Sequence, residues 1–152
     1  EFKEFTNYEE VAACSADHAG NPKGRVHMHN QVNDVIHVHD KAVTYGHFFE
    51  NLGWSVGDDF VAVRGSLHQV GNGKQLVYML NGQEVDDIAG RVIGDTDRLL
   101  ISFGNTGTDV GQQFESVADN AAEVNKLPDP AACGGDQTAS FIDRLKASTF
   151  WY

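Results

Sequence analysis

Basic residues are scarce in this chain: eleven Lys and Arg stand against twenty-two Asp and Glu, a net charge of −11 at pH 7. That imbalance argues against a nucleic-acid-binding protein and against docking on anionic membranes, both of which need a basic patch, and it suits a protein that attracts cations. Long apolar runs are missing as well. None approaches the ~20 apolar residues of a membrane span, and no charged start leads into the apolar core of a signal peptide. The chain opens at Glu1-Phe2 without Met, as expected of a mature or trimmed portion, which leaves room for a leader or anchor upstream. There is no G-x-S-x-G and no P-loop; the sixteen glycines are scattered at turns and form no phosphate cradle.

Cysteine is also sparse, with only Cys14 and Cys133. Neither has a neighbour at C-x-x-C spacing, so a thiolate metal site or redox motif is not expected. One bridge between them would close about 119 residues and stabilise the fold by roughly 4–5 kcal/mol on the loop-entropy model. A Cys14–Cys133 disulfide is the favoured reading and points outside the cytoplasm; two buried thiols in a cytosolic protein are the alternative.

Histidine is what the chain does have. Four of its seven histidines fall in Arg25 to Asp40, RVHMHNQVNDVIHVHD, as two His-x-His pairs separated by the turn-forming run Asn30 to Asp34. Side chains alternate faces along a strand. Val26 and Met28 therefore share one face of the first strand, and Ile36 and Val38 the same face of the second. His27, His29, His37 and His39 share the other. A hairpin with Asn30 to Asp34 as its loop sets His27 opposite His37, with His29 and His39 on the diagonals. Opposed Cβ atoms lie about 5 Å apart and diagonal ones about 7–8 Å, within reach of a common ion. Neutral imidazoles so placed suit copper or zinc, and the plain alternative is a solvated polar face. His47, eight residues past His39, either completes the site or faces water. His18 sits in a polar loop, where a solvated role is expected. Asp34 and Asp40 are candidate outer carboxylates that would orient an imidazole.

Around this stretch the chain reads as a single α+β domain over residues 1–152, with a core at 24–104 and a helical extension at 105–152. A short helix is possible at Asn7 to Ala13. Thr44 as N-cap and Gly53 at the C-terminal end predict a helix from Tyr45 to Leu52, burying Phe48, Phe49 and Leu52. Strands are expected at Asp59 to Arg64 and Gln75 to Leu80, with a loop holding His68 from Gly65 to Gly73. Asn81-Gly82 predicts a hairpin returning through Gln83 to Val85. Arg98 to Phe103, nearly continuous in apolar residues, predicts a central strand. Two C-terminal helices are expected, from Thr108 or Asp109 to Val124 and from Thr138 to Ala147. The sheet is expected to be mixed or antiparallel, and the ββαββ order resembles a β-grasp domain, an analogy that implies no activity.

His37-Val38-His39, Val43-Thr44-Tyr45-Gly46-His47-Phe48-Phe49, Gly53-Trp54, Tyr78 to Gly82 and Asp95 to Leu100 together resemble a group of uncharacterised extracytoplasmic bacterial and archaeal domains. These carry an IHVH-type strand, a T-x-G-x-F-F helix and an N-G hairpin. The resemblance covers residues 26–104 and implies an extracytoplasmic location without placing a catalytic residue. The leading expectation is a non-enzymatic protein that buffers, scavenges or delivers copper or zinc. Its partners would be the metal ion and either another copy of itself or a membrane-anchored protein. A small metalloenzyme is the runner-up, with Glu50 the one candidate base, although the second Gly-Pro-rich motif of cupins is missing. A structural domain with a pH-sensitive histidine surface is the third reading.

Overall fold

The computed structural model describes residues 25–28 and 34–126. The possible helix at Asn7 to Ala13, His18, His29, both cysteines and the helix expected at Thr138 to Ala147 lie outside the described residues. What is described is α+β, with short helices packed on small antiparallel sheets. The antiparallel alternative is thus the one found, in three sheets instead of a single mixed one.

Strands β1 (Val26–His27) and β2 (His37–Val38) pair antiparallel. Helix α1 follows at Tyr45–Asn51, capped by Thr44, with Leu52 at its end and Gly53 at φ 70. The caps are local chemistry, which is why the sequence announces them. Phe48 and Phe49 are buried as expected and Leu52 is partly buried. Tyr45, unforeseen as a core residue, is also buried; with Val26, Val43, Tyr78 and Ile88 these aromatics form the core. Trp54 stacks on Phe49 with ring centres 5.9 Å apart.

Strands β3 (Ser55–Val56), β4 (Phe60–Val63) and β5 (Ser66–Gln69) make the second sheet in that order. Here the reading of Gly65 to Gly73 as a loop is corrected: β5 lies within it. Arg64 and Gly65, at φ 50 and 79, form a two-residue turn that sets Val63 against Ser66. Arg seldom adopts a positive φ, so Arg-Gly does not advertise such a turn as Asn-Gly does. Asn72 and Gly73 repeat the geometry and close a Gly71–Lys74 bridge.

The third sheet has the order β7 (Gln83–Val85), β6 (Lys74–Leu80), β8 (Leu99–Asn105). Asn81 and Gly82 make the predicted hairpin, both at positive φ, with Leu80 opposite Gln83. Strand β8, expected to be central, is at the edge and β6 is central. Its apolar continuity has another cause, because both of its faces are covered. Leu99 and Ile101 pack on the core, and Ser102 on the opposite face bonds Gln113 Oε1 at 2.6 Å.

The single helix expected from Thr108 or Asp109 to Val124 is two helices, α2 (Val110–Phe114) and α3 (Ala121–Val124). Asp109 caps the first through Gln112 N–H. Arg98 packs past its end, 4.7 Å over the Phe114 ring, and donates to Phe114 O at 3.5 Å and to Val117 O at 2.6 Å. A guanidinium on these carbonyls replaces the helical N–H groups that would otherwise continue the ladder.

Candidate functional site

The histidine hairpin forms in the expected register. Val26 faces Val38 and His27 faces His37, and His39 N–H donates to Arg25 O at 2.9 Å, extending the ladder by one pair. Alternation then brings three imidazoles to one face. Ring centres are 4.9 Å apart for His27 and His39, 6.3 Å for His27 and His37, and 6.4 Å for His37 and His39. The diagonal pair is the closer one, because imidazoles lean along the strand as well as standing out from it. His27 is buried, at 8% exposure, while His37 is partly covered and His39 is exposed.

The apolar face behind them is closed at Val26 and open at Val38, which is 38% exposed. Asn51 Nδ2 donates to Val26 O at 3.0 Å and ties the hairpin to α1. Arg25 and Asp40 bracket the site with an ion pair of 2.8 Å, and the second Asp40 oxygen accepts from Lys41 N–H. Both Asp40 oxygens therefore already carry structural hydrogen bonds.

Three imidazoles that bind one ion through nitrogen at ~2.0–2.1 Å have ring centres roughly 5 Å apart; the His27–His39 spacing of 4.9 Å matches this, and the two spacings to His37, 6.3 and 6.4 Å, are longer. The ring planes lie within 13° to 18° of parallel. Stacked rings do not converge their lone pairs, and among the described residues no group of three His, Cys, Asp or Glu is already arranged to hold a metal. A ligating arrangement would need the rings turned about their Cβ–ring bonds, a soft torsion, and His37 brought closer to the other two by a change at its Cα–Cβ bond or backbone.

His47 occupies the third position of α1. Its Nδ1 accepts from Thr44 N–H at 3.1 Å while Thr44 Oγ1 accepts from His47 N–H, a reciprocal cap with histidine in the place Glu or Gln usually takes. A neutral ring that accepts at Nδ1 carries its proton on Nε2, so ligation through Nε2 would take away the cap's acceptor. His68 lies on β5 against Phe103, 5.3 Å between ring centres. Glu50 is exposed on α1.

An open cleft of about 1260 Å³ is lined by His37, His39, Trp54, His68, Asp97 and Phe103, among others. Asp97 organises one wall. Its carboxylate accepts from Tyr45 hydroxyl at 3.1 Å, Asn81 Nδ2 at 2.7 Å and Gly94 N–H at 2.7 Å. Burial, then the Asp97 charge and the hydrogen bond to it, hold the Tyr45 hydroxyl well above its ordinary pKa. Tyr78 donates to Gly57 O at 2.8 Å, and burial, with Asp58 nearby, pushes its pKa up to about 12. The Tyr45–Asp97 pair spans 52 positions, and no local pattern marks it. No protein family, curated protein or solved structure matches this chain.

Proposed function

We propose that this protein binds a copper or zinc ion through the imidazoles of the β1–β2 hairpin and acts outside the cytoplasm to buffer, scavenge or deliver it. The observation that carries the reading is the gathering of His27, His37 and His39 on one face, all within 4.9–6.4 Å of one another. From the sequence alternation, His29, which lies outside the described residues, is included as a fourth ligand, with His47 in reserve. A bound ion would supply a Lewis-acid centre. The chain's part is to present neutral imidazoles from a pair of short strands, with His27 buried and His39 open to arriving ions. The surplus of carboxylates favours the approach of cations.

An extracytoplasmic site of action is supported by the resemblance of residues 26–104 to His-rich extracytoplasmic domains and by the reading of Cys14 and Cys133 as a disulfide. Mass spectrometry with and without reductant tests that bridge. The ββαββ order also supports a β-grasp-like arrangement for the front of the chain.

The direct test is elemental analysis of protein purified without a His tag, followed by zinc and copper titration of the wild type and of a His37→Ala, His39→Ala double variant. About one ion per chain, lost in the variant, is the expected result. Absence of metal from both proteins sinks the proposal.

A further inference from the structure

Among the described residues, strand β5 has only one hydrogen-bonded neighbour. It closes the order β3-β4-β5 and pairs with β4 alone. Val70 N–H donates to Asp59 O at 2.8 Å. Hydrogen-bonded pairs alternate along an antiparallel ladder, so His68 and Ser66 also turn their backbone groups toward β4. The N–H and C=O of Leu67 and Gln69 then point outward along the open edge. Natural edges are blunted by short length, Lys, Pro or a bulge; Ser66-Leu67-His68-Gln69 is short but carries no Lys, Pro or bulge. All four residues are exposed, Leu67 at 62%.

Along the chain, the charge flanking this edge is the reverse of the molecule's. From Phe60 to Gln83 there is no Asp or Glu, in a chain that carries twenty-two. Arg64 stands at one end of β5 and Lys74 lies beyond the other. Among the described residues neither is in an ion pair, and Lys74 Nζ donates to the neutral Asn105 Oδ1. Asp59, beside Val70, is the nearest acid in the ladder.

We propose that β5 is a docking edge for an extended acidic segment of a partner protein, which adds as a strand against Leu67 and Gln69. A carboxylate toward each end of that segment would meet Arg64 and Lys74. Strand addition uses main-chain bonds for affinity and side chains for selection. Four residues of strand span roughly 13 Å, so the segment needs about six residues to bring both carboxylates into reach. A second copy of this chain is the poorer occupant. Antiparallel pairing of β5 with itself about Leu67 and Gln69 directs Arg64 of one copy toward the Lys74 end of the other, and two chains of charge −11 repel. The proposal is independent of metal binding.

The test titrates the full chain, at low salt, with a capped hexapeptide of Thr and Val in alternation and Glu at both ends, followed by calorimetry. The same peptide with Lys at both ends is the control. Binding of the Glu peptide about tenfold tighter than the Lys peptide is expected. Leu67→Pro deletes an outward N–H that β4 does not use, a position where an edge strand tolerates proline, and should abolish binding with the circular dichroism unchanged. Arg64→Asn keeps the positive-φ turn and removes the charge, and should weaken binding about threefold.

If Leu67→Pro unfolds, a peptide N-methylated on its strand-facing amides blocks the pairing from the other side. Lost binding then supports the edge, and retained binding overturns it. No binding by the wild type, or unchanged binding by folded Leu67→Pro, also overturns the proposal. So does a concentration-dependent dimer that Leu67→Pro abolishes, because the edge would then belong to self-pairing.

Discussion

Asp97 shows how one side chain joins parts of the chain that are distant in sequence. Its two oxygens take hydrogen bonds from α1, from the β6–β7 turn and from its own turn at Gly94. Removing a shared acceptor strands the buried Tyr45 hydroxyl and frees the Asn81 turn. Asp97→Ala should therefore lower unfolding free energy by about 2–3 kcal/mol, measured in urea, whereas a loss within error would show that water replaces the carboxylate. Tyr78 makes a pH prediction. Its pKa in the folded chain, about 12, lies above the ordinary tyrosine value of 10.0, so folding favours the protonated hydroxyl. The sign follows: this contribution is fully present below pH ~10 and is lost as pH rises toward the folded value. Denaturation at increasing alkaline pH should show stability falling, and falling less steeply in Tyr78→Phe. Equal slopes in the two proteins would remove Tyr78 from the account.

Among the elements, α1 is the most completely specified by its own residues. Thr44 at the start and Gly53 past the end bracket it, and the cap partner His47 is three residues from Thr44. Capping is a near-neighbour interaction, so the helix was legible in the sequence to within a residue. Gly46 carries information of another kind. A Cβ there would meet Ala89 O at 2.7 Å, across the contact with the 3-10 helix Ile88–Gly90. Alanine gains up to ~1 kcal/mol in helix propensity, but the clash is with backbone and cannot be relieved by a rotamer change. Gly46→Ala should destabilise by about 1–2 kcal/mol net, read from the urea midpoint; a gain in stability would mean that the 3-10 helix moves aside freely. The break between α2 and α3 was not legible. Asp109 to Val124 keeps a helical apolar spacing, yet Arg98, just before β8, reaches across and takes the carbonyl of Val117.

For the molecule as a whole, the hairpin is joined to α1 and to the aromatic core, since Asn51 holds Val26 and Val26 is fully buried. Metal held on the histidine face should therefore report on global stability. Zinc at a hundredfold its dissociation constant should add about 2.7 kcal/mol to the unfolding free energy, visible as a higher Tm that a chelator reverses. Ligands must be deprotonated, so the gain should shrink as pH falls through the imidazole range near 6.5. A zinc effect that is the same above and below that range would point away from the histidines.

Parity and caps are properties of adjacent residues, and they determined a good deal here. Two His-x-His pairs around a turn implied the His27–His37 register, Thr44 and Gly53 bounded a helix, and Asn81-Gly82 made a hairpin. Each needs only the alternation of a strand or the conformational freedom of one or two residues. The tertiary structure alone decided the rest. It set β8 at an edge while covering both of its faces, used Arg64 in a positive-φ turn that its residue type disfavours, and stacked the imidazoles nearly parallel. It also tied Tyr45 to Asp97. These outcomes depend on which distant surfaces meet, and packing selects among local preferences that are nearly equal in energy.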